Sequence, residues 1–249
     1  MNLIIYDRPA RISYYDLDFA GNIKLSAFLK MVHIAADVNA TDLGVGFDVL
    51  EPLNITFILQ RFCVKFLRMP LYGEEVRLRT WAADIIRGIF LREGDMYDIN
   101  NNKLIEWASQ WILFNKKERK ILKPSALPVS FKTTKKQGVG IAPIKVTYDP
   151  DFGEEYSRYT HEVRYSEVDT NMHMNNSVYG DLIGNSLNPT CSLPGLRIKE
   201  VQINYQHEIK HGEKVLVTAA KNKDSLQITG LLNEKRTFVA NVEMYIRGE

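Results

Sequence analysis

Asp169-Thr170-Asn171-Met172-His173-Met174-Asn175-Asn176 is a dense run of hydrogen-bonding side chains, and a gap-free echo of its surroundings stands near the other end of the chain. A shift of 151 positions lays Tyr14, Leu17, Asp18, Ser26 and Phe28 on Tyr165, Val168, Asp169, Ser177 and Tyr179. In that register Ala20 stands for Asn171, Asn22 for His173, Lys24 for Asn175 and Leu25 for Asn176. The chain therefore reads as a duplicated unit whose second copy carries polar chemistry that the first lacks.

The echo continues downstream. Gly73-Glu74 with Val76 and Leu78 matches Gly212-Glu213 with Val215 and Val217 at a shift of 139, and Ala108 to Phe114 matches Ala240 to Ile246 at a shift of 132. Each copy reads as a short strand, a polar loop, one amphipathic helix and several long strands. Leu25, Phe28, Leu29, Val32 and Ala36 form one helical face ending near Gly44; Val178, Leu182 and Ile183 begin another that stops by Asn188-Pro189. Strands are expected over 55–66, 75–83, 89–98 and 104–115, with Asn100-Asn101-Asn102 as a turn, and again over 197–209, 213–220, 225–232 and 237–246. One helix followed by long antiparallel strands is best buried by wrapping the sheet around the helix, an α+β solution. The expected division is 1–116, a connector over 117–159 that packs across the surface, and 160–249.

At 249 residues, 45% hydrophobic and 25% charged, the chain is expected to be globular and able to hold a sizeable apolar pocket. No run approaches the roughly 18 apolar residues of a membrane helix, and residues 1–8 do not resemble a leader, so a cytoplasmic protein without membrane association is expected. Cys63 and Cys191 have neither disulfide nor zinc spacing. A net charge of +2 gives no reason to expect nucleic acid, yet Lys116, Lys117, Arg119, Lys120, Lys123, Lys132, Lys135 and Lys136 gather with only Glu118 against them.

Asp169-x-Asn171-x-His173-x-Asn175-Asn176-x-x-Tyr179, the stretch Ile203-Asn204-Tyr205-Gln206-His207-Glu208 and the order of elements over nearly the whole chain resemble the plant-type acyl-ACP thioesterases and their bacterial relatives. That resemblance implies a tandem hot-dog fold, no metal or organic cofactor, and hydrolysis of the thioester between a fatty acyl chain and acyl carrier protein. It marks Asn171 and His173 as catalytic, Asp169 as a supporting carboxylate and Glu208 as a further polar member. Asn175, Asn176, Tyr179 and Met69 are expected at the substrate. The resemblance also implies that the N-terminal hot-dog is non-catalytic and shapes chain-length preference. Ile209 stands where plant members carry a cysteine once proposed as nucleophile, so that thiol is excluded here.

Thioester hydrolysis needs an activated water and donors to the developing oxyanion, but no strong leaving-group acid. The preferred assignment makes Glu208 the base, oriented with Asn171 and His173, with an amide at the start of the second helix holding the carbonyl oxygen. A His173 base supported by Glu208 is the close alternative. Each residue also has a plainer reading. Histidine before a helix often caps it, glutamate on a strand is usually solvent-exposed, and Asp169 shares a loop-fixing role with Asp18 as readily as a catalytic one. Glu208 faces Met69 at the shift of 139, a second loss of polarity in the first copy. Phe28, Phe57, Phe62, Phe66, Met69, Trp81, Trp107 and Trp111 supply apolar surface for an acyl chain, though most are expected in the core. His161, His207 and His211 show no partner spacing, and His33 reads as a packed helix residue.

The basic stretch suits docking of acidic acyl carrier protein, or is only a solvated face. An acyl-CoA thioesterase is the nearest alternative. A hot-dog enoyl hydratase is disfavoured because His173 follows Asp169 by four positions, with Met172 where proline is expected. A non-enzymatic acyl-binding regulator lacks an evident DNA-binding module ahead of Tyr14. The two copies can serve as an internal pseudo-dimer, and a homodimer of the chain is compatible with the sequence.

Overall fold

Leu25, Phe28, Leu29 and Val32 fall on one stripe of helix α1 (Leu25–Asp42), and all four are buried. At roughly 2 kcal/mol per large apolar side chain removed from water, that stripe outweighs any propensity difference along the helix. Gly44 ends it at φ +76, where a side chain would be strained. The computed structural model describes residues 5–134, 138–188, 190–193 and 195–246. These form two compact units: residues up to Ile12 with Met31–Arg68 and Gly73–Pro143, and Ser13–Lys30 with Met69–Tyr72 and the chain from Ile144 onward.

In the first unit, β1 (Ile5–Arg11), β2 (Ile55–Phe66), β3 (Glu75–Ile86), β4 (Ile89–Asp98) and β5 (Lys103–Asn115) lie in the order β1-β3-β4-β5-β2, all antiparallel, with β6 (Lys120–Leu122) on β5. Short helix α2 (Phe47–Leu50) precedes β2. In the second unit, β7 (Glu154–Glu162), β8 (Leu196–Tyr205), β9 (Lys214–Asn222), β10 (Ser225–Leu232) and β11 (Lys235–Ile246) take the matching order β7-β9-β10-β11-β8, also antiparallel. Helix α3 (Val178–Leu187) packs on β7, β9 and β10. It ends where expected, although Pro189 lies outside the described residues.

The ladders repeat in detail. Thr80, Gly94, Trp107 and Val64 pair in succession across β3, β4, β5 and β2, as Ala219, Ile228, Ala240 and Ile203 do across β9, β10, β11 and β8. The matching strands β2 and β8 both carry a bulge, skipping Gln60 and Lys199. The last strand corrects the sequence match: Ala240 is the partner position of Trp107, a shift of 133 rather than 132. Identity of short side chains alone placed β11 one residue out, and pairing decides register. Gly94 is required opposite Trp107, because a Cβ there would lie 2.2 Å from the indole.

Three strand limits differ from the expectation in ways that matter. β3 runs to Ile86, beyond 83, and β7 starts at Glu154, inside the stretch read as connector. β8 stops at Tyr205 instead of 209, which bears on the site. The irregular segment is tied down by hydrogen bonds rather than left as a loop. Thr134 N donates to Ala82 O (2.8 Å) and Gly140 N to Glu106 Oε2 (3.2 Å) in the first unit. Ile144 N, Val146 N and Asp149 N donate to the side-chain oxygens of Gln202, Asn204 and Gln227 in the second. Those buried amides satisfy backbone groups of a segment without its own ladder.

Candidate active site

The polar loop rests on the same three backbone hydrogen bonds in both copies. Asp169 N donates to His173 O (2.9 Å), Met172 N to Asp169 O (2.9 Å) and Asn175 N to Glu167 O (2.8 Å); in the first copy Asp18 N donates to Asn22 O (2.8 Å), Gly21 N to Asp18 O (3.0 Å) and Lys24 N to Asp16 O (2.8 Å). Asp169 Oδ1 accepts from Asn171 N at 2.8 Å, as Asp18 Oδ1 accepts from Ala20 N at 2.9 Å. Asp169 thus fixes the loop, the role its twin also fills. The turn needs a positive φ. Gly21 supplies it at +76, whereas Met172 adopts +64, a strained choice for a residue with a Cβ, between Asn171 and His173.

Glu208 reaches this loop because it is not on a strand. After β8, Gln206 N (2.8 Å) and His207 N (3.1 Å) both donate to Thr237 O, and the chain turns so that Ile209 O accepts from Met174 N at 2.7 Å. That bend holds Glu208 Oε2 2.9 Å from His173 Nε2. The strand reading through 209 is therefore corrected: a continued ladder would have fixed the side chain to one sheet face. Glu208 stands three residues beyond the end of β8, and Met69 stands three beyond the end of β2. Met69 does not join His173; it lines a separate cavity of about 220 Å³ in the second unit with Asp18, Ala20 and Asn22. That cavity is the twin of the polar site, with methionine for the carboxylate and asparagine for the imidazole. The Asn22 amide is already spent on Asp18 Oδ2 (3.3 Å) and Leu196 O (3.2 Å).

The other expected residues divide. Asn175 Oδ1 accepts from Ser177 N (2.9 Å) and Ser177 Oγ (2.8 Å), capping the entry to α3. At the helix start, Ser177 N donates to Asn175 Oδ1 (2.9 Å), Val178 N to Asn175 O (2.9 Å) and Gly180 N to Ser177 O (3.0 Å). The side-chain amide of Asn171 is exposed and has no partner among the described residues; Asn176, five positions later, is half-buried. Tyr179 lies in the core under the site, edge-on to Tyr205 (5.0 Å) and Phe238 (5.2 Å). Burial, and then the Glu208 and Asp169 carboxylates, push its hydroxyl well above the usual phenol range.

Two features escape the sequence reading. Tyr205 carries a buried hydroxyl without a partner among the described residues, its titration pushed up chiefly by burial. His161 Nε2 lies 3.0 Å from Glu167 Oε2, which also accepts from Arg164 N (2.8 Å) and so pins the turn leading into the loop. Their spacing of six carries no signal, because one partner is on β7 and the other beyond its end. Among the described residues no three His, Cys, Asp or Glu side chains gather as a metal site.

The first unit holds a cavity of about 230 Å³ between α1, α2 and the sheet. Phe57 and Trp111 line it, while Phe28, Phe62, Trp81 and Trp107 are fully buried core and Phe66 is buried. His33 also lines it, edge-on to Trp111 at 6.1 Å, and burial lowers its pKa to about 4. The folded protein therefore keeps His33 neutral where the unfolded chain would protonate it. As pH falls from about 6.5 to 4, this residue removes up to ~3 kcal/mol of stability, and nothing further below that window. Urea unfolding at pH 7 and pH 4.5 should show a smaller acid loss in His33→Asn than in the parent. Equal losses would mean that His33 does not carry the effect.

In the basic stretch Lys116 pairs with Glu51 and Lys120 with Glu118, while Lys117, Arg119, Lys123 and Lys132 are exposed. Lys135 and Lys136 lie outside the described residues. No described helix is long and apolar enough to cross a membrane.

Sequence and structure comparisons agree with this architecture. The profile of the acyl-ACP thioesterase N-terminal domain matches residues 4–125, and that of the C-terminal domain matches residues 152–243. The chain is 25% identical over 183 residues to the chloroplastic palmitoyl-acyl carrier protein thioesterase of Arabidopsis thaliana, covering 67% of this chain and 42% of that protein. The chain thus spans less than half the length of that curated relative. Among solved structures it is similar to the 12:0-ACP thioesterase of Umbellularia californica (TM-score 0.85, 15% identity, 99% of each chain). It is also similar to an acyl-ACP thioesterase of Bacteroides thetaiotaomicron (TM-score 0.80, 20% identity, 97% of this chain and 98% of that one). These likenesses show a shared fold, the tandem hot-dog.

Proposed function

We propose that this chain, which belongs to the acyl-ACP thioesterase family, hydrolyses fatty acyl-ACP thioesters to free fatty acid and holo-ACP. The observation that carries the reading is the 2.9 Å contact of His173 Nε2 with Glu208 Oε2, in the one copy of the repeat that keeps both groups. In this reading residues 160–249 are catalytic, 1–116 contain the acyl chain and 117–159 connect them, in a cytoplasmic protein.

His173 donates from Nε2 to Glu208 Oε2, leaving Oε1 to take a proton from water. The water oxygen bonds to the acyl carbon, and the carbonyl electrons move onto its oxygen, which the Asn171 amide and a neighbouring donor stabilise. Collapse expels the phosphopantetheine thiolate, and the proton held by Glu208 returns to that sulfur. No side chain is acylated, as suits a chain with Ile209 beside the glutamate. Asp169 holds the loop, and Asn175 holds the helix entry behind it. Acyl carrier protein is the partner, met by the exposed Lys117, Arg119, Lys123 and Lys132.

The test is hydrolysis of a panel of acyl-ACPs beside matched acyl-CoAs, at about 0.05 and 0.5 M salt. Acyl-ACP should be turned over with the higher kcat/KM, and salt should depress that rate more than the CoA rate. Turnover of CoA esters alone would leave a CoA-specific enzyme, and no turnover by folded protein would leave a binding role.

A further inference from the structure

The copy of the repeat that keeps His173 and Glu208 differs from its twin at one more polar position. His161 on β7 pairs with Val215 of β9, and Ala10 on β1 pairs with Val76 of β3, so the ladders match His161 to Ala10 at the same shift of 151 that relates the two loops. In both copies the acid ahead of the loop caps its own turn: Glu167 Oε2 accepts from Arg164 N (2.8 Å), and Asp16 Oδ2 accepts from Ser13 N (2.7 Å). Glu167 Oε2 takes a second donor, His161 Nε2 at 3.0 Å, whereas alanine at the twin position has no donor to give. A carboxylate accepts only, so Nε2 carries the hydrogen.

Glu167 is where that contact reaches the reactive pair. Its carbonyl oxygen accepts from Asn175 N (2.8 Å), which closes the loop, and Met174 N donates to Ile209 O (2.7 Å), which ties the loop to the segment bearing Glu208. His173 immediately precedes these two anchors, so its ring goes where they put it. Burial does not hold the His173–Glu208 contact, because Glu208 is exposed at 44%. The loop is also strained at Met172, where its twin has Gly21, and a strained turn persists only when its surroundings fix it. β7 is an end strand of the sheet, bonded to β9 alone. The His161 imidazole, mostly buried, braces the loop against that edge.

We propose that His161 is a positioning residue for thioester hydrolysis: through Glu167 it holds the loop in the geometry that brings His173 Nε2 to Glu208. Its charged neighbours do not compete for Glu167, since Arg164 (2.8 Å) and Lys214 (3.8 Å) both pair with Glu162. This role rests on the thioesterase reading, and one of its two readouts needs no turnover.

The test compares His161→Ala and His161→Gln with the parent at pH 8, by acyl-ACP kinetics and by nitrogen-15 spectra of the histidine rings, five in the chain. His161→Ala should lower kcat by about tenfold with KM within about twofold, the scale of a slightly displaced catalytic pair, and should shift the His173 Nε2 resonance. His161→Gln, whose side-chain nitrogen can donate where Nε2 does, should restore most of kcat and return that resonance. A role in stability alone would lower the melting temperature and leave both readouts unmoved. His161→Leu, similar in volume and without a donor, decides the matter if His161→Ala does not fold. An unchanged kcat or an unmoved His173 resonance in the variants without a donor, or a His161→Gln no better than His161→Ala, would overturn the proposal. If the parent turns over no acyl-ACP, the thioesterase reading fails, and the His173 resonance by itself decides whether His161 positions the pair.

Discussion

His173→Ala and Glu208→Ala should each lower kcat/KM for acyl-ACP by roughly 10²–10⁴-fold, the range of a lost acid–base group, with little change in melting temperature. Stability should hold because Glu208 is exposed at 44% and His173 at 23%, and neither supports the core. The double variant should be little worse than the poorer single one, since the two side chains act through a shared hydrogen bond. Glu208→Gln separates the two possible bases. Glutamine can still accept from His173 Nε2 but cannot take a proton from water. If Glu208 is the base, Glu208→Gln is as inactive as Glu208→Ala; if it only orients His173, much of the activity returns. A fully active Glu208→Ala beside an inactive His173→Ala would exclude Glu208 as base.

Gly180→Ala should destabilise the protein by about 3 kcal/mol, at the upper end for overpacking, and Gly184→Ala, one turn later on α3, should be neutral or stabilise by about 0.5–1 kcal/mol. The difference lies entirely in surroundings. A Cβ at Gly180 would stand 2.5 Å from Ser26 N and 2.7 Å from Ser26 Cα, and backbone at the start of α1 cannot rotate away. At Gly184 a Cβ meets nothing within 4 Å, so the helix gains from a residue with less backbone freedom to lose. Thermal or urea unfolding of the two variants reads the contrast. Equal effects would mean that the close approach of Gly180 to Ser26 is not maintained in solution. Because Ser26 follows the loop that twins the one carrying His173, loss of this contact should loosen both loop ends of the second unit.

Much of the architecture could be read from the chain because the repeat records local geometry. A turn that needs Asp at its first position and a positive φ three residues later is written in consecutive residues, and Asp18 with Gly21 spells it as Asp169 with Met172 does. The limits expected for β2, β4 and β10 match those of the structure, and β4 ends at the Asn100-Asn101-Asn102 turn. Where the reading failed, the deciding partner was distant in sequence. The register of β11 is set by its ladder with β8, so a run of similar residues put it one position out. His161 finds Glu167, and Arg92 finds Asn39 and Thr80, through folding of separate elements.

The sequence by itself determined the duplication, the asymmetry between the copies, and the residues that could do chemistry. Loss of histidine and glutamate from one copy is a statement about composition at matched positions, and matching needs only a gap-free shift. Tertiary structure alone decided that Glu208 leaves its strand to meet His173, that Asp169 and Asn175 are committed to the loop, and that Arg92 donates to Asn39 and Thr80. Those are questions of which donors remain unspent once the backbone has satisfied itself, and that is settled by contacts between segments far apart in the chain.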